Sequence, residues 1–169
     1  MKRKAAAGKT ARKKPARSRA ARKKPARKQR ANASSPVLNA GLPKALGIKL
    51  LTLTKQKITA EMPVTEMHLN RTGRVAGGAI MSFADVLGAV GAVFHRPAGY
   101  RGGTVESKTN FFAAGRGPVL RGVTVPLHIG RTTSVWQTTV KNDDGGLVAV
   151  VTQTQIQLPR TAPGEGERT

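Results

Sequence analysis

The stretch Asn70–Phe94, NRTGRVAGGAIMSFADVLGAVGAVF, decides the fold of this chain. It joins a polar turn, a Gly-Gly step and the longest apolar run in the sequence. From Ala79 to Phe94 the only polar side chains are Ser82 and Asp85, which predicts a helix buried on nearly all sides. A membrane span needs about 20 apolar residues and would not carry an ionised Asp in its middle. We therefore expect the core helix of a globular domain.

Asp85 is the unusual residue of this helix, because burying an unpaired carboxylate costs several kcal/mol. One interpretation is structural, with Asp85 bonded to a nearby backbone group or to Ser82. The other is a functional site, where such carboxylates are concentrated. Gly77 and Gly78 stand where the helix should begin, and a helix N-terminus offers free N–H groups and a positive dipole end to an oxyanion. That pair favours the functional interpretation.

The strong positive charge lies mainly in an N-terminal tail. Fifteen of the thirty Lys and Arg residues fall within residues 1–30, which contain no acidic residue, and the motif ARKKPAR occurs there twice. Charge repulsion and proline predict disorder for this segment. It either attaches to nucleic acid or another polyanion through counterion release, or serves as a solubilising extension; a transit peptide is a weaker alternative. Residues 31–169 carry fifteen basic and eight acidic residues, a formal charge of +7.

The cysteine and histidine content limits the kinds of site that this chain can form. The chain has no cysteine, which removes disulfides and thiolate chemistry and fits a reducing, cytoplasmic location. Its three histidines are far apart without ligand spacing, so we expect no metal. The basic N-terminus is not followed by the apolar segment of a signal peptide.

The remaining chain predicts an α+β domain. Leu42–Leu46 is expected to form a short helical turn, and Pro97 to end the long helix. The predicted strands are Ile48–Thr54, Lys57–Val64, Thr104–Phe112, Val119–Ile129, Thr133–Lys141 and Leu147–Leu158, with NDDGG as a hairpin turn before the last. An antiparallel sheet would curl around the helix. We place a disordered tail and linker at residues 1–35, the folded domain at 36–158 and a disordered C-terminus at 159–169.

Seven short motifs, in this order and spacing, resemble the hotdog-fold acyl-CoA thioesterases of the PaaI-like, phenylacetate-pathway type. The resemblance covers about Leu42 to Leu158. The motifs are Asn70-x-x-Gly73, Gly77–Gly78, Phe83–Asp85, Gly102–Glu106, Asn110–Phe112, Gly130–Arg131 and Asp144–Ala149. The resemblance implies a hotdog fold, in which the sheet wraps one long central helix, and hydrolysis of an acyl- or aryl-CoA thioester. Coenzyme A would belong to the substrate, so no cofactor is expected.

The resemblance also implies roles for individual residues. Asp85 would act as general base or nucleophile, and the backbone N–H of Gly77 would bind the thioester oxygen, with Gly78 beside it. Asn70 would order the site or its water, and Thr104 would position the attacking water. One carboxylate and one oxyanion donor suffice for a thioester, with no metal or triad.

Helix geometry adds a constraint on this site. Gly77 and Asp85 are eight residues apart, about 12 Å along one helix axis, so one helix cannot present both to one carbonyl. A site that uses both needs two chains, which agrees with the family's dimers and predicts a homodimer or dimer of dimers with two sites per dimer.

Some features leave alternatives open. The family usually has His-Gly-Gly, whereas this chain has Ala76 before the glycines, which is compatible with lower activity, another substrate or binding without chemistry. Arg131 and Arg116 are either solvated or contact a coenzyme A phosphate. Trp136 is expected to pack in the core. The alternative function is a non-catalytic acyl-CoA-binding dimer tethered to nucleic acid by its tail; a hydratase of the hotdog type ranks last, because its Asp and His pair is missing.

Overall fold

The computed structural model describes residues 35–160, and the predictions for the basic tail and for residues 161–169 lie outside this range. A 3₁₀ turn, Pro36–Leu38, precedes the short helix α1, Gly41–Ala45, and a second 3₁₀ turn, Glu66–His68, precedes the long helix α2, Gly77–His95. The strands are β1 Lys49–Leu53, β2 Ile58–Pro63, β3 Tyr100–Phe111, β4 Val119–Ile129, β5 Thr133–Asn142 and β6 Leu147–Pro159.

All six strands form one antiparallel sheet in the order β1-β2-β4-β5-β6-β3. Consecutive strands β4, β5 and β6 are neighbours, whereas the chain crosses through α2 from β2 to place β3 at the far edge. The β5–β6 connection is the predicted NDDGG hairpin, in which Gly145 has a positive φ of 88° and its N–H donates to the Asn142 carbonyl. The strands β1 and β3 are therefore the two edges.

The core lies between α2 and one face of the sheet. Along β5 every second residue is buried, as expected for a strand with one covered face. Trp136 is fully buried there, as predicted, and packs against α2 at Gly91, where a Cβ would lie 2.7 Å from the indole ring. Phe83 and Leu87 of α2 are also fully buried. Each such side chain contributes about 1.5–3 kcal/mol through burial.

The prediction that α2 is buried on nearly all sides is wrong for the single chain. Ile80, Phe83, Leu87 and Val90 face the sheet, but Met81 on the opposite side is 41% exposed. A single curved sheet covers only one side of a helix, so the other side stays accessible. Within the described range α2 is the one helix long and apolar enough for a membrane span, yet it packs against the sheet as a core helix does.

One strand begins well before its predicted position, whereas the limits of α2 agree with the sequence prediction. Helix α2 starts at Gly77, as the Gly pair indicated, and stops at His95 before Pro97. Strand β3 begins at Tyr100, four residues earlier than predicted, so Gly102 and Gly103 lie inside the strand and not before it. The reason is local packing: a Cβ on Gly102 would overlap the carbonyl oxygen of Ile156, and glycine permits this close backbone approach.

Candidate active site

Asp85 lies in the middle of α2 on its half-exposed side, where it faces the edge strand β3. Its carboxylate oxygen Oδ1 accepts a hydrogen bond of 2.9 Å from the Thr104 hydroxyl and one of 3.2 Å from Nε2 of Gln153. Within the described residues no side chain donates to the second oxygen, Oδ2. Asp85 therefore has one oxygen that orients it and one that is available for chemistry. Its side-chain partners are Thr104 and Gln153, and Ser82, the partner considered from the sequence, is not one of them.

The hydroxyl of Thr104 has a defined direction. Its oxygen accepts a 2.7 Å hydrogen bond from Nε2 of Gln155, which is 3% exposed. Because a hydroxyl has a single hydrogen, the Thr104 proton is left to point at Asp85. The hydrogen bonds from Gln155 of β6 to Thr104 of β3, and from Thr104 to Asp85, thus fix the orientation of the carboxylate. One lone pair of the Thr104 oxygen stays available to a water.

Gln153 reaches Asp85 because α2 carries a glycine at the crossing point. Its Nε2 donates to the Asp85 backbone carbonyl at 3.1 Å as well as to Oδ1, and the side chain is fully buried. A Cβ on Gly88 would overlap the Gln153 carboxamide. The absence of a side chain at Gly88 therefore makes room for the bond that anchors Asp85.

A β-bulge stands next to Thr104. The pairing of β3 with β6 shifts between Thr104, opposite Gln155, and Glu106, opposite Thr154, which leaves Val105 as the extra residue. Bulges bend a strand and re-aim side chains, and they are common beside functional sites. Here the bulge follows the cross-strand pair Thr104–Gln155, in which Gln155 donates to Thr104 and Thr104 donates to Asp85.

The N-terminus of α2 forms the second part of the candidate site. Gly77 and Gly78 are exposed, and the first N–H groups of a helix have no acceptor within it. The N-cap residue Ala76 provides no side-chain hydrogen bond. These N–H groups and the helix dipole favour a negative charge. Within one chain, however, the structure does not bring Gly77 to Asp85, because they stay eight residues apart on the same helix, about 12 Å along its axis.

Asn70 occupies the turn that leads into α2. Its side-chain oxygen accepts bonds from the Thr72 N–H at 2.9 Å, the Thr72 hydroxyl at 2.7 Å and the Arg74 N–H at 3.2 Å. Gly73 in this turn has a positive φ of 72°. The carboxamide oxygen of Asn70 therefore holds the turn, and a direct role of its NH₂ group in the site stays a prediction.

The two arginines proposed for coenzyme A lie in exposed turns. The Arg116 guanidinium forms a 3.0 Å ion pair with Asp144. The pKa of Asp144 is lowered, first by a hydrogen bond from the backbone N–H of Gly146 and then by Arg116. Arg131 lies between β4 and β5, and its backbone carbonyl accepts a bond from Gln157. Contact of either guanidinium with coenzyme A stays a prediction.

The sequence interpretation missed Gln153 and Gln155. Both lie in β6, where Gln153, Gln155 and Gln157 alternate with Thr154 and Ile156. In a strand of period two, three glutamines on one face form a polar stripe. All three are buried, and a polar stripe on the buried face was the signal that could have identified them.

Comparison with known proteins identifies the class. The family model described as "Thioesterase superfamily" matches residues 72–149. VC_A0580 of Vibrio cholerae, which carries the name of an esterase, is 32% identical over 138 residues, covering 79% of this chain and 91% of its own length. The proofreading thioesterase EntH of Cronobacter turicensis is 32% identical over 105 residues, covering 62% of this chain and 76% of EntH. The chain belongs to the thioesterase superfamily and is a thioester hydrolase.

Solved structures confirm the hotdog fold. The thioesterase HI1161 of Haemophilus influenzae superposes with a TM-score of 0.71 at 19% identity, covering 76% of this chain and 90% of that one. A hypothetical thioesterase protein of Streptococcus pneumoniae, solved with coenzyme A, has a TM-score of 0.61 at 23% identity, covering 68% and 88%. The long helix wrapped by one antiparallel sheet is the architecture they share with this chain.

Proposed function

We propose that this chain hydrolyses an acyl- or aryl-CoA thioester to the free acid and coenzyme A, with Asp85 as general base or nucleophile. The observation that carries the proposal is the Asp85 carboxylate, oriented through Oδ1 by Thr104 and Gln153 while Oδ2 stays available. A general base needs this combination of fixed orientation and an accessible lone pair. The coenzyme A in the streptococcal structure supports the choice of thioester.

The reaction follows from these groups. As a base, Asp85 takes a proton from a water placed near the Thr104 oxygen, and the resulting hydroxide attacks the thioester carbonyl. The tetrahedral oxyanion accepts hydrogen bonds at the N-terminus of α2, from the N–H of Gly77. The carbon–sulfur bond then breaks, and the coenzyme A thiolate leaves with a proton from Asp85 or solvent. As a nucleophile, Asp85 would attack the thioester carbonyl and expel the coenzyme A thiolate, and water would then hydrolyse the resulting mixed anhydride to the free acid and restore the Asp85 carboxyl group.

The oxyanion donor would come from a second copy of the chain. Strand β3 pairs with β6 on one side, and no described strand covers its other side. An uncovered edge is a site for pairing with another chain. Val105 on this edge is 58% exposed and Met81 on the open side of α2 is 41% exposed, so the surface is partly apolar. We propose a homodimer, alone or paired into a dimer of dimers, in which Gly77 of one chain meets Asp85 of the other.

A panel of aliphatic and aryl acyl-CoA esters, assayed with a thiol reagent, tests the function. Asp85→Asn keeps the side-chain size and removes the base, so we expect turnover to fall by about 10²–10⁴-fold. Asp143→Asn, a change of an exposed carboxylate in the β5–β6 turn, is the matched control and should retain activity. If the wild type and Asp85→Asn bind the esters but are equally inert, the non-catalytic acyl-CoA-binding dimer replaces this proposal.

The basic tail supports a separate proposal of attachment to nucleic acid or another polyanion. Fifteen positive charges without an acidic residue would bind by counterion release, with affinity that falls steeply with salt. Deleting residues 1–30 should abolish salt-sensitive retention on DNA and leave thioester turnover unchanged. Equal retention of the deleted and full chains would reject this attachment.

A further inference from the structure

A narrow cleft begins beside the Asp85 network and extends along α2. Its volume is about 90 Å³, and its walls come from α2, β3, β5 and β6. Thr104 and Gln155, which orient Asp85, also line the cleft. The cleft therefore borders the residues that orient the proposed catalytic carboxylate, and it offers space for the acyl group of a thioester bound there.

One wall of the cleft is a row of residues on one side of α2. Ala89, Ala92 and Arg96 follow Asp85 by 4, 7 and 11 residues, which places all four on the same side of α2. The two alanines leave the space open because their side chains are short. Arg96, at the C-cap of α2, is the residue of this row farthest from Asp85 and lines the far end of the cleft.

The guanidinium of Arg96 turns towards β3. Its Nη1 lies 3.4 Å from the position that a Cβ on Gly102 would take. Gly102 precedes Thr104 by two residues, which is about 7 Å along a strand. The positive charge is thus roughly 7–10 Å from the hydroxyl that bonds to Asp85.

Arg96 lacks an anionic partner in the described part of the chain. The ion pairs between residues 35 and 160 are Arg116–Asp144 and Arg121–Glu61. Arg96 is also the one charged side chain among the described residues that line the cleft. A guanidinium has five donors and no acceptor, and it matches the two oxygens of a carboxylate. The far end of the cleft is thus suited to a carboxylate.

We propose that the acyl group of the substrate ends in a carboxylate, which Arg96 binds, so that the preferred substrates are short ω-carboxyacyl thioesters. This inference rests on the proposed thioesterase function. A reacting carbonyl lies about 3 Å from its base, and a carboxylate lies about 2.8 Å from a guanidinium nitrogen. The base Asp85 lies 2.9 Å beyond the Thr104 hydroxyl, so the base and the guanidinium are roughly 10–13 Å apart when the three groups are in line. After both contacts are subtracted, about 4–7 Å remains, which admits about two to four methylene groups.

The test compares glutaryl-CoA with hexanoyl-CoA, which has similar length and no carboxylate. We expect the wild type to have the higher kcat/KM for glutaryl-CoA. Arg96→Gln should lower the ratio of the two kcat/KM values by about 10–100-fold, mainly through KM for glutaryl-CoA, as expected for a lost hydrogen bond to a charged group. Arg96→Lys should restore part of the ratio, and Arg101→Gln on neighbouring β3 is the control that removes one exposed charge and keeps the ratio.

The outcomes separate this inference from the proposed function. Equal losses for both substrates in Arg96→Gln, with an unchanged unfolding temperature, would mean that Arg96 contacts coenzyme A, and would overturn the inference. A wild type that hydrolyses hexanoyl-CoA in an Asp85-dependent way and does not prefer glutaryl-CoA would overturn it too, while the thioesterase proposal stands. A wild type inert towards every thioester would reject both.

Discussion

Two inactive variants of this chain are expected to restore one active site when they share a dimer. Asp85→Asn removes the base, and Gly77→Pro removes the N–H proposed to bind the oxyanion. Proline is tolerated at the first position of a helix. The preceding residue, Ala76, already has φ −61° and ψ 140°, which proline requires of its neighbour. Gly77→Pro should therefore fold and lose about 10²–10³-fold in kcat.

The expected activity follows from the geometry of α2. Because Gly77 and Asp85 are about 12 Å apart on one helix, each site of the proposed dimer would take one group from each chain. In a heterodimer of the two variants, one site contains both mutated groups and the other contains both native groups. A heterodimer purified with two different affinity tags should show about half the wild-type kcat per dimer, at least 50-fold above either variant alone.

Gly77→Ala is the control for Gly77→Pro. Gly77→Ala keeps the N–H, and its Cβ would lie 3.4 Å from the Phe111 ring, which is an ordinary contact, so this variant should remain active. If each chain held a complete site, every site in the heterodimer would be damaged and its activity would not exceed that of the variants. That result, or a stable wild-type monomer with full turnover, would refute the shared site.

Two glycines of α2 and one exposed carboxyl give further predictions. Gly88→Ala displaces the Gln153 carboxamide, which helps to hold Asp85, so this variant should have a much lower kcat. Its unfolding temperature should change little, because the amide is the flexible end of a side chain and can move. Gly91→Ala meets the buried Trp136 ring and should lower the free energy of unfolding by about 1–3 kcal/mol in urea denaturation, with less effect on kcat per folded chain. The reverse ranking would contradict both. The pKa of Asp144 is lowered in the folded chain, so the ionised carboxylate stabilises the folded state. This stabilisation is fully present above the unfolded pKa of about 3.9 and is lost as the pH falls through the pKa of the folded state. An NMR titration midpoint above 3.9 would contradict this.

Local spacing allowed much of this protein to be predicted. The apolar run, the Gly pair and Pro97 predicted the start and end of α2 to within two residues, because helix limits depend on neighbouring residues. Alternation and turn residues predicted the strands, and the ordered short motifs indicated the thioesterase family, which the comparisons confirm. Asp85 was predicted to be a candidate site residue because a carboxylate in the middle of an apolar helix is unusual in any fold.

The tertiary structure alone decided how Asp85 is held. Gln155 and Thr104 are 51 residues apart in sequence, and Gln153 and Asp85 are 68 apart, so their bonds depend on strand register and on a bulge. The open side of α2 and the position of Arg96 beside Gly102 likewise follow from which surfaces one sheet can cover. Sequence patterns report the periodicity within an element, whereas the partners of a side chain depend on how distant elements pack together.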